Sequence, residues 1–136
     1  MQRLFIEKTA LTPKIHFSPD ENIFLISGQS APEDVRALYY PVIEWTKTFT
    51  DDVIDGEITK YSSENALIIQ ADLHYFNSSS AKFIFDILNE LKRLIKNNIP
   101  VIVEWFYEED DLDQKEAGMD IAQLLEMEFV YILKKN

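Results

Sequence analysis

Short polar side chains that could react or form hydrogen bonds are clustered at one point of the chain. They are Asn77, Ser78, Ser79 and Ser80, with Lys82 shortly after them. A serine hydroxyl can attack a substrate, accept a phosphoryl group or cap a helix. Nucleophilic attack is disfavoured, because the nucleophile elbow of hydrolases needs glycines flanking its serine and none stands here. Phosphorylation and helix capping remain, and on residue types alone capping is the simpler interpretation.

An acidic run from Glu108 to Asp113 is the second candidate, since carboxylates can bind a divalent cation. The run lacks the spacing of a calcium loop and its central glycine. If Asp111 or Asp113 caps the following helix, the other carboxylates are simply solvated. A small acidic metal-binding protein or enzyme that uses Glu108 to Asp113 therefore stays open as an alternative.

Other catalytic or cofactor chemistry finds little support in the sequence. Cysteine is absent, which excludes disulfides, thiol catalysis and cysteine-based zinc sites, and the three glycines form no phosphate-binding loop. The two histidines, His16 and His74, belong to different predicted strands, His74 directly at the end of one, and they match no metal motif. We therefore expect a protein that is not an enzyme, without catalytic residues, cofactor or metal.

The charge of the chain also limits its partners. The formal net charge is −11 and the sequence pI is near 4.5. Nucleic acids and anionic membranes attract basic surfaces, so neither is an expected partner. No apolar run is long enough for direct membrane insertion, and the first residues do not resemble a signal peptide, so we expect a cytoplasmic location.

The serine cluster lies at a predicted corner between a strand and a helix. Residues 66–73 are almost continuously apolar, which predicts an interior strand buried on both faces. Apolar residues then recur at helical spacing over residues 79–96. In open α/β sheets such corners at the carboxyl ends of strands tend to present functional groups.

The remaining segments predict the strands and helices that surround this corner. Residues 14–27 are expected to form a hairpin, and residues 4–6 are a short β-like run. A helix is expected with Pro32 in its first turn, and Pro41 should kink it or divide it into two. After the central strand and helix come a strand at 101–106, a helix at 113–127 and a strand at 129–133. The prediction is a single α/β domain, residues 1–136, with a mixed, mostly parallel sheet in the order ββαβαβαβ and an optional short extra strand at either end of the first loop.

Five blocks give the chain a resemblance to the SiaC family of bacterial regulatory phosphoproteins: EKTALTP (7–13), SGQSAPE (27–33), YPVIEW (40–45), YFNSSSAK (75–82) and VEWFYEED (103–110). The similarity spans nearly the whole chain, and YFNSSSAK is its most specific part. The resemblance implies a STAS-like fold, similar to that of anti-sigma-factor antagonists, which carry a switch serine at the same strand-to-helix corner.

The resemblance also implies a function. In this family the hydroxyl residue directly after the asparagine is phosphorylated by a dedicated protein kinase, and a PP2C-type phosphatase removes the phosphate. The unmodified form activates a membrane diguanylate cyclase, in cyclic-di-GMP signalling and biofilm regulation. By position that residue is Ser78, with Asn77, Ser79, Ser80 and Lys82 as the expected partner-binding rim. A plain structural adaptor without a switch is the remaining alternative.

Overall fold

The computed structural model describes residues 1–135 of this protein. Within them, three helices pack on a six-stranded sheet. The helices are α1 (Val35–Ile54), α2 (Ser78–Lys92) and α3 (Leu112–Leu125), and a 3-10 turn (Ile95–Asn97) follows α2. The strands are β1 (Leu4–Ile6), β2 (Lys14–Ser18), β3 (Ile23–Ser30), β4 (Leu67–Phe76), β5 (Val101–Glu108) and β6 (Phe129–Lys134). No helix within residues 1–135 has the length and apolar character needed to cross a membrane.

The strands lie side by side in chain order, from β1 at one edge to β6 at the other. The first three strands pair antiparallel, and β3 to β6 pair parallel. The predicted α/β class with a mixed, mostly parallel sheet is therefore confirmed, as is the hairpin. The order βββαβαβαβ contains the predicted elements, and the optional extra strand is β1, the short β-like run at residues 4–6.

The central strand β4 lies between β3 and β5, so its predicted interior position is confirmed. The prediction that both of its faces are buried is wrong. Ile69 is 0% exposed, whereas its neighbour Ile68 is 44% exposed. Each parallel crossover steps one strand further in the same direction, and right-handed crossovers then place all three helices on one face. A near-continuous apolar run could not reveal this, because the strand order decides which faces are covered.

Helix α1 begins later than predicted and is not divided. Asp34 is its N-cap, with a side chain that accepts a hydrogen bond from the backbone N–H of Ala37 at 3.1 Å, so Pro32 lies before the helix. The helix continues through Pro41, and the alternative of two short helices is wrong. Pro41 cannot donate to the carbonyl of Ala37. Both residues are exposed, so water can satisfy that carbonyl.

Close packing between α3 and β5 gives a first testable prediction. Trp105 is fully buried and its indole N–H donates to the carbonyl of Gln114 at 2.9 Å. A Cβ added at Gly118 would lie 2.6 Å from the indole ring. We expect Gly118→Ala to destabilise the fold by about 1–3 kcal/mol, because overpacking a core costs that much. The clash should outweigh the gain of about 1 kcal/mol from a better helix former.

Chemical denaturation of single and double variants measures this effect. In a Trp105→Leu background the ring is gone, and Gly118→Ala should then be neutral or stabilising. A destabilisation of the same size in both backgrounds would show that the contact with Trp105 is not the cause.

Candidate functional site

The corner between β4 and α2 is fixed by one asparagine. Asn77 is the N-cap of α2, and its side-chain oxygen accepts a hydrogen bond from the backbone N–H of Ser80 at 2.9 Å. Its own backbone N–H donates to the carbonyl of Ser30 at 3.0 Å, which ties the corner to the end of β3. Asn77 therefore positions the serines that follow it.

The three serines of the corner have different environments. Ser78 and Ser79 are exposed, whereas Ser80 is 0% exposed. The Ser80 hydroxyl donates to the carbonyl of Ser30 at 3.1 Å and accepts from the Ser30 hydroxyl at 2.8 Å. The Ser30 Oγ also lies 2.7 Å from the Tyr39 hydroxyl, which must donate because the Ser30 proton is already used. This buried hydroxyl network joins β3, α1 and α2.

Burial has an electrostatic consequence within the network. It raises the pKa of the Tyr39 hydroxyl, and hydrogen bonds with Ser30 and Ser80 oppose this only in part. Tyr39 is therefore a neutral donor at physiological pH, and the network carries no charge. Its role is to hold the helices in place beneath the exposed serines.

The partner-binding rim expected from the sequence must accordingly be corrected at Ser80. A fully buried side chain cannot contact a docked partner. Ser79 and Lys82 remain at the surface, beside the exposed Ser78. Sequence alone could not separate these neighbours, because the direction of each serine depends on how α2 packs against α1 and the sheet.

A groove of about 540 Å³ lies between α1 and α2, directly beside the corner. Its apolar part includes Tyr40 and Phe83, and charged side chains line the remainder. Lys82 forms an ion pair with Asp86 at 2.9 Å and also lies over the ring of Phe83 at 5.0 Å. The lining residues are Val35, Arg36, Tyr40, Ile43, Glu44, Lys47, Ser79, Lys82, Phe83 and Asp86.

The contribution of α1 to this groove was not predicted from the sequence. The aromatic residues of α1 have different environments. Tyr40 lines the groove, Tyr39 is buried, and the indole of Trp45 donates to the carbonyl of Gln2 at 2.9 Å. The charged α1 residues of the groove, Arg36, Glu44 and Lys47, are exposed, and sequence periodicity identifies them only as solvent-facing.

The acidic run is spread over three elements. Glu108 ends β5, Glu109 and Asp110 are exposed in the turn, and Asp111 caps α3 by accepting the backbone N–H of Gln114 at 3.2 Å. Among residues 1–135, no group of three or more histidine, aspartate or glutamate side chains is arranged to hold a metal ion. Of the two caps that the sequence suggested, Asp111 is the one that caps the helix, and Glu109 and Asp110 face solvent.

The buried network gives a second prediction. We expect Ser80→Ala to destabilise the fold by about 1–3 kcal/mol, because the buried Ser30 hydroxyl loses its acceptor. Ser79→Ala changes the same residue type at the surface and should stay within about 0.5 kcal/mol of the parent. Urea denaturation of both variants measures the difference. Equal stabilities would show that the network contributes nothing to the fold.

Comparison with known proteins gives a consistent result. Residues 6–134 match the sequence profile of the SiaC family of regulatory phosphoproteins. An uncharacterized protein of Pseudomonas aeruginosa (strain UCBPP-PA14) is 30% identical over 108 residues, which are 79% of this chain and 78% of that protein.

Solved structures show the same similarity. Apo-SiaC from Pseudomonas aeruginosa is 25% identical and superimposes with a TM-score of 0.79, over 99% of this chain and 100% of that one. The structure of the diguanylate cyclase SiaD in complex with its activator SiaC, from the same organism, matches with a TM-score of 0.82 at 25% identity, over 96% of this chain and 99% of that one.

Proposed function

Because this chain belongs to the SiaC family of regulatory phosphoproteins, we propose that it is a non-catalytic binding module switched by phosphorylation of Ser78. One observation supports this choice of residue above all. Ser78 follows the capping Asn77 directly and is exposed at the start of α2, whereas Ser80 is buried. Ser79 is also exposed, but it stands one position beyond the residue that the family pattern identifies.

The partner that we propose is a diguanylate cyclase, bound by the unmodified form. SiaC of Pseudomonas aeruginosa is described as an activator in complex with such an enzyme, and its chain superimposes on nearly all of this one. A dedicated protein kinase adds the phosphate and a PP2C-type phosphatase removes it. The module then acts in the cytoplasm, in cyclic-di-GMP signalling and the control of biofilm formation.

The position of Ser78 is physically suited to a reversible modification. As the first residue of α2 it lies where backbone N–H groups lack partners within the helix, and this end of the helix dipole favours anions. A phosphate of about −1.5 to −2 charges is therefore tolerated by the fold. A partner packed against the corner would instead meet a hydrated dianion, so modification should remove binding without unfolding the module.

Phosphosite mapping tests the proposal. The protein is co-expressed with the proposed protein kinase, and intact mass followed by peptide mass spectrometry locates the phosphate. We expect one phosphate on Ser78, retained in Ser79→Ala and lost in Ser78→Ala. Phosphate found only on Ser79 would overturn the assignment, and an unmodified protein would favour the structural adaptor.

A further inference from the structure

The groove between α1 and α2, beside Ser78, differs in the sign of its charge from the chain as a whole. The chain as a whole has a net charge of −11, yet the groove is lined by three basic side chains, Arg36, Lys47 and Lys82, and only two acidic ones. It is thus a weakly basic, partly apolar surface on a strongly acidic protein. A phosphate beside it would reverse the sign of its charge.

One face of α2 links the switch residue to this groove. Ser78, Lys82 and Asp86 recur at intervals of four residues, so they stack along the same side of the helix. Lys82 is the middle member, and its ammonium group contacts Asp86 at 2.9 Å. The Lys82 side chain is 69% exposed, so it is free to change partner.

We propose that Lys82 is the positioning residue of the switch: a phosphate on Ser78 draws its ammonium group away from Asp86. The inference deepens the proposed function and rests on Ser78 being the modified residue. A phosphate dianion attracts an ammonium group more strongly than a single carboxylate does, and Lys82 lies within reach of both at the i, i+4 spacing.

The exchange changes the groove in two ways. Asp86 loses its cation and presents an unpaired carboxylate to the groove that it lines. Lys82 also moves off the ring of Phe83, over which it lies in the unmodified form at 5.0 Å. The partner that fits the unmodified groove presents apolar side chains together with an acidic group, and that group competes with the phosphate for Lys82.

The experiment measures the phosphate directly. Phosphoserine is incorporated at position 78 during translation, and its second pKa is followed by ³¹P NMR in the parent, Lys82→Gln, Lys82→Arg and Lys47→Gln proteins. We expect Lys82→Gln to raise this pKa by about half a unit, as the loss of one exposed ion pair implies. Lys82→Arg should restore the lower value, because the positive charge is kept.

Lys47→Gln is the matched control, since it removes the same charge from the same groove but from α1. A pKa change in Lys82→Gln no larger than that in Lys47→Gln would overturn the inference. Because the phosphoserine is installed without a kinase or a partner, this outcome is independent of the proposed function. Failure of the proposed function would instead be seen in the phosphosite mapping.

Discussion

Phosphorylated on Ser78, the protein should bind the proposed cyclase partner on the order of 100-fold more weakly than the unmodified form, because like charges and a desolvated dianion at an interface cost several kcal/mol. Ser78 is exposed at the head of α2, next to Ser79, which lines the groove. A partner that docks on this corner, as we propose, would meet the added charge. Calorimetric titration of both forms with the cyclase measures the ratio. Thermal melting of both forms checks that the fold is kept.

Substitutions at the same position provide the controls. Ser78→Ala should bind like the unmodified protein even after exposure to the kinase. Ser78→Asp should weaken binding less than the phosphate does, since one carboxylate supplies about half the charge and fewer acceptor oxygens. Equal affinities of the phosphorylated and unmodified forms would contradict the prediction, and so would a phosphorylated form that has unfolded.

Leu88→Ala should lower the free energy of unfolding by about 2–5 kcal/mol, as truncations of buried leucines do. Leu88 is 1% exposed on the inner face of α2, where it belongs to the core with Ile84 and Leu91. The truncation removes apolar contacts and leaves a cavity that the sheet and the helices cannot fully close. Urea denaturation measures the change.

Leu124→Ala is the matched control for this truncation. Leu124 belongs to α3 and is 73% exposed, so the same loss of side-chain atoms should change stability by no more than about 0.5 kcal/mol. If both variants lost the same stability, helix propensity rather than burial would be responsible for the effect at Leu88.

Local signals in the sequence were sufficient to predict the elements around the candidate site. The strand at β4, the polar corner and the amphipathic α2 each follow from short-range patterns, and the structure contains all of them. Asn77 and Asp111 both cap helices, because short polar side chains satisfy free backbone N–H groups wherever they precede an amphipathic segment.

Helix boundaries were less predictable where two signals competed. Pro32 favoured an early start for α1, but the chain first completes β3 at Ser30, and Asp34 then caps the helix. Pro41 suggested a break, yet the helix continues, because its packing against the core outweighs one missing hydrogen bond on an exposed face.

By itself, the sequence determined the fold class, the serine corner and the family resemblance, because these depend on residue type and short-range spacing. Tertiary structure decided which face of the sheet is covered, which serine is buried and which α1 residues reach the corner. Ser78 and Ser80 are only two residues apart, yet one is exposed and the other is enclosed by Ser30 and Tyr39. That difference arises from the packing of α1 and β3 against the first turn of α2, since contacts between distant segments set the environment of each side chain.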